Sequence, residues 1–446
     1  MGSSPGRKSL LVALLIVGAV SSSPAISVGR PARVSVGSSS EQANAQSDTA
    51  AISADGRYVA FCSDASNLVA GDTNGSTDVF VRDRVDRTTQ LVSVSSTGEQ
   101  GNDYSCGPSI SADGQRISFD SFASNLVPDD TNLAYDAFVH DLTDGSTTRV
   151  SVSSTGEEGN LGEGSVRSSI SGVGQVVSFE SGANNLVEGD TNGEPDIFVH
   201  EMSSGITSRV SVGSHGEQSN GETSSSSMSF DGRFVAFESN DYAMVPGEDS
   251  FDWDIFLRDR TDGTTSRISD SPLGGEANDE SFDPTISSDG QLVAFESFAS
   301  NLVAGDTNSA EDVFLYDDTT GSIDRISVSD RELQGNDWSS DPAMSSDGRY
   351  VAFGSYASNL VPRDTNSCPD GIRGHCPDVF LRDRLAGRTV RVSIPAPGRQ
   401  ANDTSALPAL TPDARFLAFQ SNATNLVPGD TNAVSDVFLV SLTLPS

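Results

Sequence analysis

Three sets of residues in this chain have types and spacings that could do chemistry. The first is an oxygen-rich loop. "GDTNGSTDVFVRDR", residues 71–84, places Asp72, Asn74, Ser76 and Asp78 at alternate positions, as a calcium loop would. It returns as "DDTNLAYDAFVHD", "GDTNGEPDIFVHE", "GDTNSAEDVFLYD" and "GDTNAVSDVFLVS". In a twelve-residue calcium loop the bidentate acid would be Asp83, but residues 79–82 read as extended strand and carry Asp83 roughly 16 Å beyond Asp78. The sixth position, which needs glycine for its sharp turn, is Thr77, Tyr135, Pro195, Trp253 or Glu311 in the copies. Asp72, Asn74 and Asp78 then remain for an ion that takes six to eight oxygens, and Asn and Asp also satisfy loop amides through Asx-turns. The expectation is a structural turn without cofactor, with a weak calcium site as the alternative. One copy, "GEDSFDWD", is richer in acids: Glu248, Asp249, Asp252 and Asp254.

The second set occupies one equivalent position in seven repeats: Cys62, Asp120, Glu180, Glu238, Glu296, Gly354 and Gln420. Paired carboxylates hydrolyse glycosidic bonds, so Glu180, Glu238 and Glu296 are the catalytic candidates of a carbohydrate-active reading. The same acids can instead accept hydrogen bonds from neighbouring loops. The third set is aromatic: Trp253, Trp338, Tyr104 and Tyr135 fall in long loops, where such rings stack on sugars, anchor peptides or pack on other loops. His140 and His200 replace Arg82 and Arg258 at one strand position, and His215 and His375 are isolated in loops. No Ser-His-Asp order, zinc spacing or phosphate loop accompanies them.

The elements that must hold these residues are repeats. The Asp before each "VF" or "IF" pair recurs as Asp78, Asp136, Asp196, Asp254, Asp312, Asp378 and Asp436, with "AF" at Asp136; Asn44, Asn102, Asn160, Asn220, Asn278, Asn336 and Asn402 keep the same rhythm. Each unit reads as four short strands by its period-two alternation, as in "PSIS", "QRISFDS", "DAFVHDL" and "TTRVSV". Asp113-Gly114 marks a tight hairpin between the first two. Seven four-stranded units with no helical stripe define an all-β fold, a seven-bladed β-propeller. The chain after residue 25 opens on "ARVSV", equivalent to a fourth strand, and ends on "SDVFLVSL", a third strand. Pairing the two would close the ring and remove two sheet edges. The strand directions put the Asp-Gly and strand three-four turns on one face, and the "ASNLVxGDTN" loops with the inter-blade crossovers on the other.

"SISADGRYVAF", "SSDGQLVAFES" and "SSDGRYVAFGS", each followed by "DVF" and a turn, resemble the TolB-type, WD-like β-propeller repeat family over about residues 32–442. The resemblance implies a propeller with protein-interaction or cell-envelope roles, although the TolB propeller has six blades and this chain seven.

Residues 1–25, with Arg7 and Lys8 before an apolar run from Leu10 to Val20, read as a secretory signal peptide. Residues 26–446 are expected to form a single propeller domain that is secreted or exposed on the cell envelope, monomeric, and without a membrane span once the leader is cleaved. Of the 27 basic and 63 acidic residues, two basic and no acidic ones lie in 1–25, which leaves a net charge of −38. That charge disfavours nucleic acid as a partner. In an oxidising compartment Cys368 and Cys376 are expected to pair across the blade-six insertion, and Cys62 with Cys106 between blades one and two. The functional expectation is an exported, non-catalytic module that binds a protein or glycan through its long-loop face. The alternative is a carbohydrate-active glycosidase or lyase.

Overall fold

The computed structural model describes residues 26–160, 164–242, 244–245, 251–272, 274–368 and 374–445. The expected leader, residues 1–25, lies outside them, as do Glu248 and Asp249. Seven antiparallel sheets form the blades of a propeller, and no helix occurs among the described residues. None is therefore long and apolar enough to cross a membrane. Blade one runs Ser47–Ile52, Tyr58–Ser63, Asp78–Asp83 and Thr88–Leu91, from the channel outwards, and the next five repeat it.

Alternation along strands two and three builds the core. Phe61 and Phe80 pair across the blade with ring centroids 5.9 Å apart and pack on Val437 and Leu439 of blade seven. Val79 and Val81, on either side of Phe80, point the other way, onto Phe119 and Phe138 of blade two. Every blade repeats the Phe pair, with centroids no more than 6.0 Å apart. The ring is thus held by burial between neighbours, the dominant favourable contribution in such a fold.

The Asp-Gly turns differ from a two-residue hairpin in which both central residues have positive φ. Here Ser53 pairs with Tyr58 around a wider loop, and of Asp55 and Gly56 only the glycine is left-handed, at φ 69°. Asp55 accepts from the Ser53 hydroxyl at 2.7 Å and the Arg57 amide at 2.9 Å, so the repeated Ser, Asp and Gly each have a task. A Cβ on Gly56 would meet the Phe416 ring at 2.3 Å.

The ends close the ring as the offset of the repeats requires. Ala32 and Arg33 pair with Leu439 and Phe438, which makes the N-terminal segment the outer strand of blade seven. The closure extends further than "ARVSV" indicates: Ser27 and Val28 pair with Thr443 and Leu442, because the last strand runs from Asp436 to Thr443. At the short-turn end of the channel, main-chain bonds pass from blade to blade: Ala54 to Ala112, Ala112 to Gly172, Val173 to Phe230, Phe230 to Ser288, Ser288 to Ser346, and Ser346 to Pro412. Pro412 has no amide to continue the series to blade one. Ile52, Ile110, Met228, Ile286, Met344 and Leu410 make this end apolar.

Candidate functional site

The recurring Asp at the head of strand three is buried in every blade and partnered on both oxygens. One oxygen accepts from a serine that follows strand four: Ser93 to Asp78 at 2.6 Å, Ser211 to Asp196 at 2.6 Å, and Ser35 to Asp436 at 2.7 Å across the closure. The other accepts from the loop asparagine in six blades, as from Asn74 to Asp78 at 3.0 Å, and faces Arg267 in blade four. The Asn74 amide also donates to Gly101 of the crossover, and its oxygen accepts the Ser76 amide in an Asx-turn. In blades two, three, five, six and seven an arginine of the outer strand bridges this Asp and the Asp of the "GDTN" loop. Arg391 lies 2.7 Å from both Asp364 and Asp378, and Arg209 lies 3.3 and 3.0 Å from Asp190 and Asp196. Blade one has Leu91 in that place, and Gln100 joins Asp72 and Asp78 instead, at 2.8 Å each. Burial pushes Asp78, Asp196 and Asp254 up to about 6. Asp252, half-buried, stands two residues before Asp254. The recurring "RVS" of strand four is the sequence signal for this network.

The second set joins blades. Strand one of every blade contains a bulge whose residue is left-handed: Thr49, Gly107, Arg167, Ser225, Asp283, Asp341 and Leu407. The acid of strand two reaches across to the bulge of the following blade. Asp120 accepts the Arg167 and Ser168 amides at 2.5 and 3.1 Å, Glu238 accepts the Asp283 amide at 2.9 Å, and Glu296 accepts the Asp341 amide at 2.8 Å. Glu180 takes the Ser224 hydroxyl at 2.6 Å. Between blades one and two the same place holds the disulfide Cys62–Cys106, and Cys368–Cys376 closes the insertion of blade six. Burial raises Asp120 and Glu238 to about 7, and burial with Glu311 and Asp283 alongside pushes Glu296 well up.

The structure brings Glu180, Glu238 and Trp253 to one pocket of about 370 Å³ at the loop-side mouth of the channel, where they meet Arg167, Glu222 and Phe282. Trp253 and Phe282 lie 6.2 Å apart with their rings tilted by 41°. The Arg167 guanidinium donates to Ser224 and Ser225 and sits 3.5 Å from Glu180 and 3.9 Å from Glu238. Arg167 is 56% exposed at its side chain, against 17% for Glu180. Glu296 belongs to the next junction and does not line this pocket. Tyr104 and Tyr135 meet edge to face at 6.1 Å with Phe122 on Tyr135, and Trp338 packs on Phe298 at 5.6 Å. The four aromatic candidates thus form three separate clusters. His140 and His200 bond to Thr147 and Thr207 of strand four at 2.9 Å.

These features define a class: a seven-bladed β-propeller of four-stranded blades. No family model matches the chain, and no curated protein does. Among solved structures it is similar to an oligogalacturonate lyase from Vibrio parahaemolyticus, with 12% identity, TM-score 0.51, and coverage of 93% of this chain and 91% of that one. A prolyl endopeptidase structure has TM-score 0.51 at 11% identity; 90% of this chain covers 50% of it. A putative TolB from Agrobacterium tumefaciens has 16% identity and TM-score 0.40, over 80% of this chain and 95% of that one. At these identities the likeness shows the fold alone.

Proposed function

We propose that the protein is an exported, non-catalytic binding module that engages a protein or glycan through its long-loop face. The observation that carries this reading is the use of the strand-two acids. Asp120, Glu238 and Glu296 are spent on amides of the next blade, whereas the half-buried rings of the same face have surface left for a partner. The two disulfides support an oxidising, extracytoplasmic setting. The reading needs no metal, since guanidinium groups already lie between the loop carboxylates in five blades.

One arrangement favours the second reading, a glycosidase or lyase: Glu180 and Glu238 share a pocket with Trp253, and Glu238 is raised to about 7, a value suited to a general acid. The test is a broad glycan-degradation assay on the purified chain, with Glu180→Gln, Glu238→Gln and Glu296→Gln made singly. The expected outcome is no turnover by any form. Turnover that one substitution abolishes would establish the enzyme and end the binding-only reading.

A further inference from the structure

The pocket of about 370 Å³ between blades three, four and five has a composition that narrows its ligand. Its walls are of two kinds. Trp253 and Phe282 supply a tilted pair of ring faces, and Pro195 adds a further apolar surface. Around them stand planar polar groups: the Arg167 guanidinium as donor, and the carboxylates of Glu180, Glu222 and Glu238 as acceptors. Such a set suits a pyranose ring, whose axial C–H face stacks on an aromatic while its equatorial hydroxyls donate and accept at the rim. The volume matches the small end of ligand pockets, room for a few sugar rings at most.

Charge excludes part of this class. Three carboxylates and one guanidinium line the pocket, in a chain whose net charge is −36. A uronate or sulfated sugar would bring a further negative charge into a field already negative. An uncharged sugar brings none. Arg167 has a left-handed backbone at φ 54° and an exposed side chain that bonds to Ser224, Ser225 and Glu180, so it can turn from these partners to a hydroxyl without unfolding the blade.

We propose that this pocket binds an uncharged pyranose residue of a glycan, stacked on Trp253 and hydrogen-bonded by Arg167 and Glu222. The proposal rests on the binding-module reading and assigns it a ligand class and a location.

The protein carries its own reporter. Trp253 and Trp338 are its two tryptophans, so Trp338→Phe leaves tryptophan emission, excited selectively over tyrosine, that comes from the pocket alone. This variant is titrated with neutral gluco-, manno- and galacto-oligosaccharides, and with oligogalacturonate as the charged counterpart. At least one neutral series is expected to change the emission saturably. Arg167→Ala in the same background is expected to weaken that binding about tenfold, as loss of a hydrogen-bonding anchor does, with the melting temperature as the check on folding. Emission unmoved by every neutral sugar overturns the proposal, and so does oligogalacturonate binding as tightly as its neutral analogue. A protein partner captured in a pull-down and lost on changes to the loop face, with sugars inert, would overturn the sugar pocket and leave the binding module standing. Turnover of a glycan in the degradation assay would instead remove the module reading.

Discussion

Glu238 accepts a backbone amide while shut away from water, and burial holds its proton to about pH 7. Its folded pKa lies above the unfolded value of about 4.3. Its stabilising contribution is therefore complete below about pH 4 and is lost as the pH rises through about 7. Asp120, also raised to about 7, acts in the same direction. Asp259 works oppositely: the Arg233 hydrogen bond holds it down to about 2, so its contribution is present above about pH 4 and fades as the pH falls to about 2. Thermal stability is expected to be higher at pH 5 than at pH 8, and Glu238→Gln, which keeps the acceptor without the charge, should narrow that difference. Melting curves across this range decide it; a rise in stability from pH 5 to 8 would mean that the junction acids do not govern the profile. Little of this was legible in the residues themselves. The Asp of each "DVF" was visible as a repeated acid, but its partners lie 13 and 15 positions onward and come to it only through strand pairing. The bulges were hidden for a different reason, since Thr49, Arg167 and Leu407 belong to types with no preference for positive φ.

Strands were the most legible elements, because period-two alternation and Asp-Gly turns both follow from backbone geometry that tolerates few exceptions. What alternation cannot convey is how one strand leans on the next blade. Five of the seven junctions reuse one position in strand two with different side chains, and at the first of them a covalent bond replaces the acid. Cys62 and Cys106 are 44 residues apart in sequence, and constraining a loop of that length is worth about 4 kcal/mol through the unfolded chain. The double variant Cys62→Ser, Cys106→Ser is expected to lose about that much in denaturant unfolding, and Cys368→Ser with Cys376→Ser, whose separation is 8, distinctly less. Equal losses would show that strain or local contacts, rather than loop length, set the effect.

The molecule as a whole is held shut by contacts between its two ends. Arg33 pairs with Asp430 and Asp436 at 2.9 and 3.2 Å, and Ser35 bonds to Asp436 across 401 positions of sequence. A chain beginning at Gly37 loses these together with both outer segments of blade seven and leaves the strand from Asp436 to Thr443 as a bare edge. It is expected to melt several degrees lower than the chain beginning at Ile26, and to aggregate on refolding; an unchanged melting temperature would mean that the seam carries no load. This closure was readable from the phase of the repeats, whereas the extra pairing of Ser27 and Val28 was not, since nothing in "ISVGRPA" distinguishes strand from linker. A seam of this kind is also indifferent to which molecule supplies its strand. A copy that lends residues 27–36 to a neighbour leaves its own seventh blade open to the next, so the pairing that closes the ring within one chain becomes, between chains at high concentration, a head-to-tail link with no built-in end.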